Sequence, residues 1–410
     1  MENIDSTNEK VAIVIDDLLA ELLDMGAIIH PSIYIKESSG ELSISCQKNI
    51  KNTGALLTVP LTCMPLLVDF EFTLKPHYKI ASTMKKGALN PNAEQIMNLM
   101  VLLYNYTDKL KAWNDSYPLL TLKKHNELLN AIYSFRPQGK KLSAFKKLFD
   151  QNKYDELLLH SFIGSREFTY KQEALASANI HTVNQSEKGL LSIIDFLNHQ
   201  MGDSEYKINR QTGCMEICAN AENETGEIFV QYSFMDAVQT YLTYGFVDNN
   251  AHILYSGRLQ FTLLSGLNFV VLSLSGGLKR TVALPSVYKH LHNYLPAGIK
   301  RDGNNVVVSD LVIPKTINIS YFSESLAVIL TQCDQEGFYK DTDTLAREIE
   351  HIERQVLAVN IDFWQKFLVT FEKSQRKNNS FNKTTGSDLR LLVENCCSHC
   401  QGYSKVKGYI

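Results

Sequence analysis

Between Leu191 and Val247 the chain carries three short patterns in close succession: Leu191-Ser-Ile-Ile-Asp-Phe-Leu-Asn-His199, Gly226-Glu-Ile-Phe-Val-Gln-Tyr232 and Tyr244-Gly-Phe-Val247. The second alternates, putting Ile228, Val230 and Tyr232 on one face, as a half-buried strand requires. Behind it, Asp236 followed three residues later by Gln239 is a variant of the box that opens a helix. Ala237, Val238, Tyr241 and Leu242 then supply one apolar face, and Gly245 ends the helix. A strand, a turn and a short helix are thus predicted in that order, bracketed by Tyr232 and Tyr244 and expected to bring both tyrosines to one pocket.

In order and spacing these patterns resemble the C-terminal half of a SET methyltransferase domain. The subgroup most similar is the Rubisco large-subunit lysine methyltransferase type, related to the actin-histidine methyltransferases. Its members carry an Asp-x-x-Asn-His segment, a Gly-Glu strand running to a tyrosine, and Tyr-Gly-Phe. The corresponding residues are Asp195, Asn198 and His199, then Gly226, Glu227 and Tyr232, then Tyr244, Gly245 and Phe246. Upstream, Ser165-Arg166-Glu167-Phe168 resembles the Ser-Arg-x-Phe segment that lies beside the substrate channel in relatives.

The N-terminal part fits the same resemblance. Ile13, Leu18, Leu19, Leu22 and Leu23 recur at helical spacing over 11–25 and stop at Gly26. Short strands are predicted around Ile33–Ile35, Leu42–Cys46 and Ala55–Pro60, the last stopped by its proline. Relatives use a Gly-Leu-x-Ala strand to cradle S-adenosylmethionine. Here Ser43 stands for the glycine and Ile44 for the leucine. From about 76 to 160 the composition turns helical and lysine-rich, with helices predicted over 92–106 (capped by Asn92), 119–133 and 142–149. Relatives carry a helical insertion at this place. Lys123, Lys124, Lys140, Lys141, Lys146, Lys147 and Arg136 read as its solvated face, the alternative being a surface for an acidic partner. Beyond 252 the chain reads first as strands. Helix then returns from about Thr344, where Leu345, Ile349, Ile352, Val356, Val359, Phe363 and Phe367 recur, with a linker over Lys373–Gly386.

A chain of 410 residues has room for two or three structural units, since a domain usually holds about 100–200 residues. Its net charge of −3 gives no general reason for nucleic acid or an anionic membrane as partner. The first residues lack the basic flank and apolar core of a secretory signal, and no apolar run approaches the roughly 20 residues that span a bilayer. Eight cysteines, scattered except for Cys396, Cys397 and Cys400, fit a reducing, cytoplasmic setting. That cluster is too compact for a structural zinc, which takes four ligands in separated pairs, so no metal is expected. Cys214 and Cys218 read as buried thiols.

Together these readings predict an α+β protein. A SET-type core of short, knotted sheets would span 15–75 and 161–250, interrupted by the insertion 76–160, with a mixed, partly helical substrate- or partner-binding domain over 255–410. The resemblance implies transfer of a methyl group from S-adenosylmethionine to a lysine side chain of a protein substrate. Such a site must hold the amine in line and neutral, against an ordinary lysine pKa of about 10.4. A dry aromatic channel serves both ends. By resemblance Asn198, His199, Ser43, Ile44 and Tyr232 would bind the cofactor, His199 mainly through its backbone. Tyr232 would be the catalytic tyrosine, assisted by Tyr244, and Arg166, Phe168, Ile194 and Phe246 would line the substrate channel. Actin-histidine enzymes carry Asn and Trp where Phe168 and Ile194 stand, so lysine is the expected target, with histidine as the alternative. Ser43, Ser233 and Asp236-Ala237 depart from the usual Gly, Gly and Ser-Asn. A degenerate, protein-binding SET-like module is the alternative they motivate.

Overall fold

The computed structural model describes residues 4–47, 54–137, 145, 147–218, 226–273, 286–315, 318–378 and 383–409. It is α+β and divides into two units. Met1–Asp115 with Asn152–Ser233 form the first, and Ser116–Gln151 with Phe234–Ile410 the second. The expected insertion 76–160 is therefore shared, its middle grouping with the C-terminal part of the chain.

In the first unit the helix Glu9–Asp24 begins at Asn8, whose side chain accepts from the Lys10 and Val11 amides. It buries Val11, Val14, Ile15, Leu18 and Leu22 along one face. Two four-stranded sheets follow. One orders β1 (Ile4–Ser6), β3 (Ile33–Ser38), β4 (Glu41–Cys46) and β13 (Gly226–Glu227). The other orders β11 (Tyr206–Asn209), β12 (Cys214–Cys218), β5 (Ala55–Pro60) and β2 (Ile28–Ile29). Smaller ladders join β6 (Phe70–Lys75) to β7 (Lys79–Met84), β8 (Phe168–Lys171) to β9 (Ser186–Gly189), and β10 (Asn198–Ser204) to β14 (Phe229–Val230). The helix Glu94–Tyr106 packs on both Glu9–Asp24 and β7. Asn92 does not cap it. A 3-10 turn at Pro91–Ala93 puts Ala93 at the cap position, with no side-chain bond.

The strand expected to run from Glu227 to Tyr232 is interrupted. β13 pairs antiparallel with β4, whereas β14 pairs parallel with β10, so the chain changes partner at Ile228. Ile228 and Val230 are buried as the alternation requires, and Tyr232 lies past the strand's end, half-buried.

In the second unit the helix expected over 119–133 is two, Pro118–Lys123 and Asn126–Phe135. The Lys124 and His125 amides bond three residues back, to Thr121 and Leu122, and this tight turn breaks the run. The helix expected over 142–149 lies partly outside the described residues. Ala237–Tyr244 forms as predicted, with both bonds of the Asp236/Gln239 capping box and Gly245 at φ 84°, the left-handed conformation that suits glycine. β15 (Ile253–Tyr255) pairs with β20 (Val312–Pro314), and β16 (Leu259–Thr262), β17 (Asn268–Val271), β19 (Asn305–Val308) and β18 (Ile299–Asp302) form a sheet in that order. Helices Ser320–Cys333, Thr342–Asn378 and Lys383–Val406 close the chain.

Two further sequence readings are corrected in this unit. Helix covers most of the expected linker, because Phe371 and Ser374 are buried and one packed face outweighs a polar composition. Arg136 belongs to no solvated basic face. It forms a bidentate pair with Asp236, and the two side chains are 4% and 0% exposed. Among the described residues no helix is long and apolar enough to cross a membrane.

Candidate active site

Most of the predicted site residues belong to the first unit, on five stretches of chain. The 3-10 turn Ser192–Phe196 leads straight into β10, which begins at Asn198. β4 carries Ser43 and Ile44, and the crossing segment 226–232 bonds to both β4 and β10. The Ile228 amide donates to the Ile44 carbonyl at 2.8 Å, and Gly226 and Glu227 pair with Cys46 and Ser45. On the other side Asn198 pairs with Phe229 and His199 with Val230. Ile228 is thus the splice that joins the Asn198-His199 segment to β4.

Side chains tighten the same junction. The exposed Asn198 amide donates to Glu227 at 2.5 Å. The Tyr232 amide donates to Nδ1 of His199 at 3.0 Å, which leaves the hydrogen of a neutral ring on Nε2. The Tyr232 hydroxyl donates to the Leu197 carbonyl at 2.7 Å. A phenol whose hydrogen is committed in this way is an acceptor towards any further group. Tyr232 is therefore locked from both its backbone and its ring tip onto the residues flanking Asn198.

An aromatic row extends from this point. Tyr232 lies 5.1 Å from the His199 ring and 6.4 Å from that of Tyr206, and Tyr206 meets Phe168 edge-on at 5.7 Å. Tyr206 went unassigned in the sequence reading. Its place in a strand just after Asn198-His199 was the available signal. Ile194 is fully enclosed, so its side chain acts by filling core volume. Ile44 is likewise enclosed and reaches a ligand only through its backbone, whereas Ser43 is half-buried.

Arg166 sits in a group of charges the sequence did not assemble. Its guanidinium lies 4.0 Å from the Phe162 ring centroid and donates to the Ser165 hydroxyl at 2.8 Å. Its Nε is 3.7 Å from Asp195, a loose ion pair. Tyr104 donates to the same Asp195 oxygen at 3.0 Å. Burial pushes the Asp195 carboxyl above its usual range, with the Arg166 charge and the Tyr104 bond opposing. Lys109, bonded to Glu41, is close enough for the charges of both Arg166 and Asp195 to act on it. Asp195 belonged to a quoted pattern, but neither Tyr104 nor Lys109 carried a local signal.

Tyr244 and Phe246 belong to the second unit, where their rings stack at 6.1 Å just beyond the end of the helix Ala237–Tyr244. In that unit Cys396 and Cys400 are buried on the helix Lys383–Val406, and burial pushes both thiols above their usual range. Cys214 and Cys218, the other two singled-out thiols, are half-buried on β12 of the first unit. All eight cysteines are free thiols.

No protein-family model matches the chain, and no curated protein matches it in sequence. Among solved structures it is similar to the SET domain of LSMT bound to lysine and AdoHcy, with 11% identity over 97% of this chain and 91% of that one and a TM-score of 0.42. Rubisco LSMT bound to AdoMet gives 11% identity, coverage of 97% and 92%, and a TM-score of 0.39. The complex with sinefungin and monomethyllysine gives 11% identity, the same coverages and a TM-score of 0.40. These are loose likenesses, and the chemistry of the site rests on its own residues.

Proposed function

We propose that the chain is an S-adenosylmethionine-dependent protein methyltransferase acting on a lysine side chain. The observation that carries this reading is the double attachment of Tyr232. Its amide is bonded to His199 and its hydroxyl to the Leu197 carbonyl, so two motifs separated along the sequence meet around Asn198. The donor set suits a nucleoside with an amino-acid end. It offers an exposed amide with a carboxylate beside it (Asn198 and Glu227), a half-buried hydroxyl on β4 (Ser43), and aromatic rings. When bound, the cofactor supplies an electrophilic methyl on a sulfonium.

The chain's residues would do the rest. Asn198, Ser43 and the β4 backbone would bind. The rings of Tyr232, Tyr206 and Phe168 would fit the aliphatic stem of a lysine and exclude water, favouring the neutral amine. The acceptor oxygen of Tyr232 would align the polarised methyl hydrogens. Phe168 offers imidazole no hydrogen bond, which favours lysine over histidine. Segment 255–410 would engage the protein substrate, and the free thiols suit the cytoplasm.

Calorimetric titration of the purified protein with S-adenosylmethionine and S-adenosylhomocysteine tests the reading, followed by labelling of protein substrates and mass spectrometry of the modified residue. Micromolar binding is expected, weakened in Asn198→Ala, with label on lysine that falls at least about 100-fold in Tyr232→Phe, on the scale of a lost transition-state contact. A second reading, a silent binding module, is favoured by Ser43 in place of the glycine and by the Asn198 amide already engaged with Glu227. Folded protein that binds neither ligand would decide for it.

A further inference from the structure

The turn that joins β3 to β4 and the loop between the helices Glu94–Tyr106 and Lys109–Ser116 border an open cleft of about 460 Å³. It lies wholly within the first unit, and none of its lining residues is one assigned to the cofactor or the substrate channel. Close backbone contact fixes its shape. Ser39 and Gly40 make the turn with φ of 54° and 82°, and a Cβ on Gly40 would stand 2.7 Å from the Thr107 carbonyl oxygen, so only glycine fits. Beside Thr107, Asp108 adopts a left-handed φ of 51° and pairs with Lys79 at 2.6 Å.

Glu37 decides what this cleft can hold. It is 5% exposed, and the Ser6 hydroxyl and the Gly40 amide each donate to one of its oxygens at 2.8 Å. Among the described residues no cation pairs with it. A carboxylate this enclosed ordinarily has a cationic partner, and two neutral donors leave about half of its lone-pair sites open. With Asp108 and Asp115 it gives the lining three carboxylates to the one ammonium of Lys111. Lys111 pairs with Asp115 at 2.9 Å on the exposed face of a helix, where an ion pair contributes little. The balance repels an anion and complements a cation.

The rim adds an aromatic face. Tyr106 is exposed, and the Lys10 ammonium lies 6.0 Å from its ring centroid, so the ring is already in a cation's neighbourhood. Leu102, one turn earlier on the same helix face, is exposed too, as is Ile13, one turn beyond Lys10 on the helix Glu9–Asp24. The acidic cleft thus runs out onto an apolar shelf. A basic side chain carried on a polypeptide matches both parts, whereas a free polyamine matches only the first.

We propose that the cleft binds an arginine or lysine side chain of a basic protein segment. The cationic end meets Glu37, the stem lies against Tyr106, and an apolar neighbour in the segment covers Leu102. This site is separate from the one assigned to methyl transfer, and its test needs no cofactor.

The experiment is fluorescence anisotropy of a labelled, end-blocked peptide of alternating arginine and leucine, titrated with the full chain at low salt. The unlabelled peptide, its glutamate counterpart and spermidine serve as competitors. The arginine peptide should bind and the glutamate peptide should not compete. Glu37→Gln, which keeps an acceptor for the Gly40 amide, should weaken binding about tenfold or more, the scale of one charge-assisted bond. Tyr106→Ala should weaken it a few-fold, and Lys111→Met should strengthen it a few-fold by removing the one like charge. Both of the latter change exposed side chains, so they decide the matter even where Glu37→Gln fails to fold. No binding by the wild type, or binding that these variants leave unchanged, overturns the proposal. Spermidine that competes as well as the unlabelled arginine peptide would assign the cleft to a free polyamine and overturn the protein partner.

Discussion

His399 sits on the helix Lys383–Val406, 7% exposed, with Nε2 bonded to the Ile313 carbonyl at 2.9 Å. Desolvation lowers its pKa from 6.5 to about 4, with the Lys315 charge acting in the same direction. The native state therefore resists protonation that the unfolded chain accepts. The stability this contributes is complete above pH 6.5 and is lost as the pH falls towards 4. A shift of that size corresponds to something on the order of 3 kcal/mol. Urea unfolding at intervals between pH 7 and 4 should show this fall in the wild type. His399→Gln, which retains a donor for Ile313 but does not titrate, should lose about one proton's worth of the slope. An unchanged slope in that variant would assign the pH dependence elsewhere. In the sequence the residue stands between the clustered thiols, in Cys396-Cys-Ser-His-Cys400. A burial this complete depends on which helix face is packed, and no local pattern around 396–400 states that.

Elements whose signals are local were the legible ones. The Asp236/Gln239 box and Gly245 predicted both ends of the helix Ala237–Tyr244, because capping is decided within four residues. β4 and β5 followed from apolar runs with a proline stop. The break at Ile228 was not legible, since it arises from a change of partner between β4 and β10, which are far apart in sequence. The same holds for the groups around Asp195, which are Tyr104 from the Glu94–Tyr106 helix, Lys109, and Arg166 from the Ser165–Phe168 segment. Asp236 combines both kinds of information. Its role as a cap was readable, and its pairing with Arg136, one hundred residues earlier, was not. It also accepts from the Tyr255 amide at 2.8 Å, so one carboxylate anchors the helix that leads to Tyr244 and Phe246. Arg136→Met leaves that carboxylate buried and unpaired, and chemical denaturation should register a loss of about 3–5 kcal/mol. Adding Asp236→Asn, which keeps the cap and removes the charge, should recover much of it. A single variant as stable as wild type would show that the pair contributes nothing.

At the scale of the molecule, the chain passes between its two units after residues 115, 151 and 233. A boundary drawn from composition treats 76–160 as one insertion, yet 116–151 supplies interior parts of the C-terminal unit. Phe135 stacks on Phe363 at 3.7 Å and meets Trp364 edge-on, and its carbonyl accepts from the Arg258 amide at 2.6 Å. Gly257 lies so near the Phe135 ring that a Cβ there would collide with it. Glu127 accepts from Ser374 at 2.5 Å, and Arg136 neutralises Asp236. Residues 234–410 alone would expose the faces of Phe363 and Trp364 to water and strand a buried carboxylate. Loss of one large aromatic contact costs about 3–5 kcal/mol and the orphaned charge about as much, together comparable to the whole stability of a typical domain. Produced alone, 234–410 should therefore give no cooperative thermal transition and a weak near-ultraviolet dichroism signal. A permuted chain that joins 116–151 to it through a flexible linker should restore both. A sharp transition from 234–410 by itself would mean that the two segments are separable. Failure of the permuted chain would show that 116–151 is not the missing support.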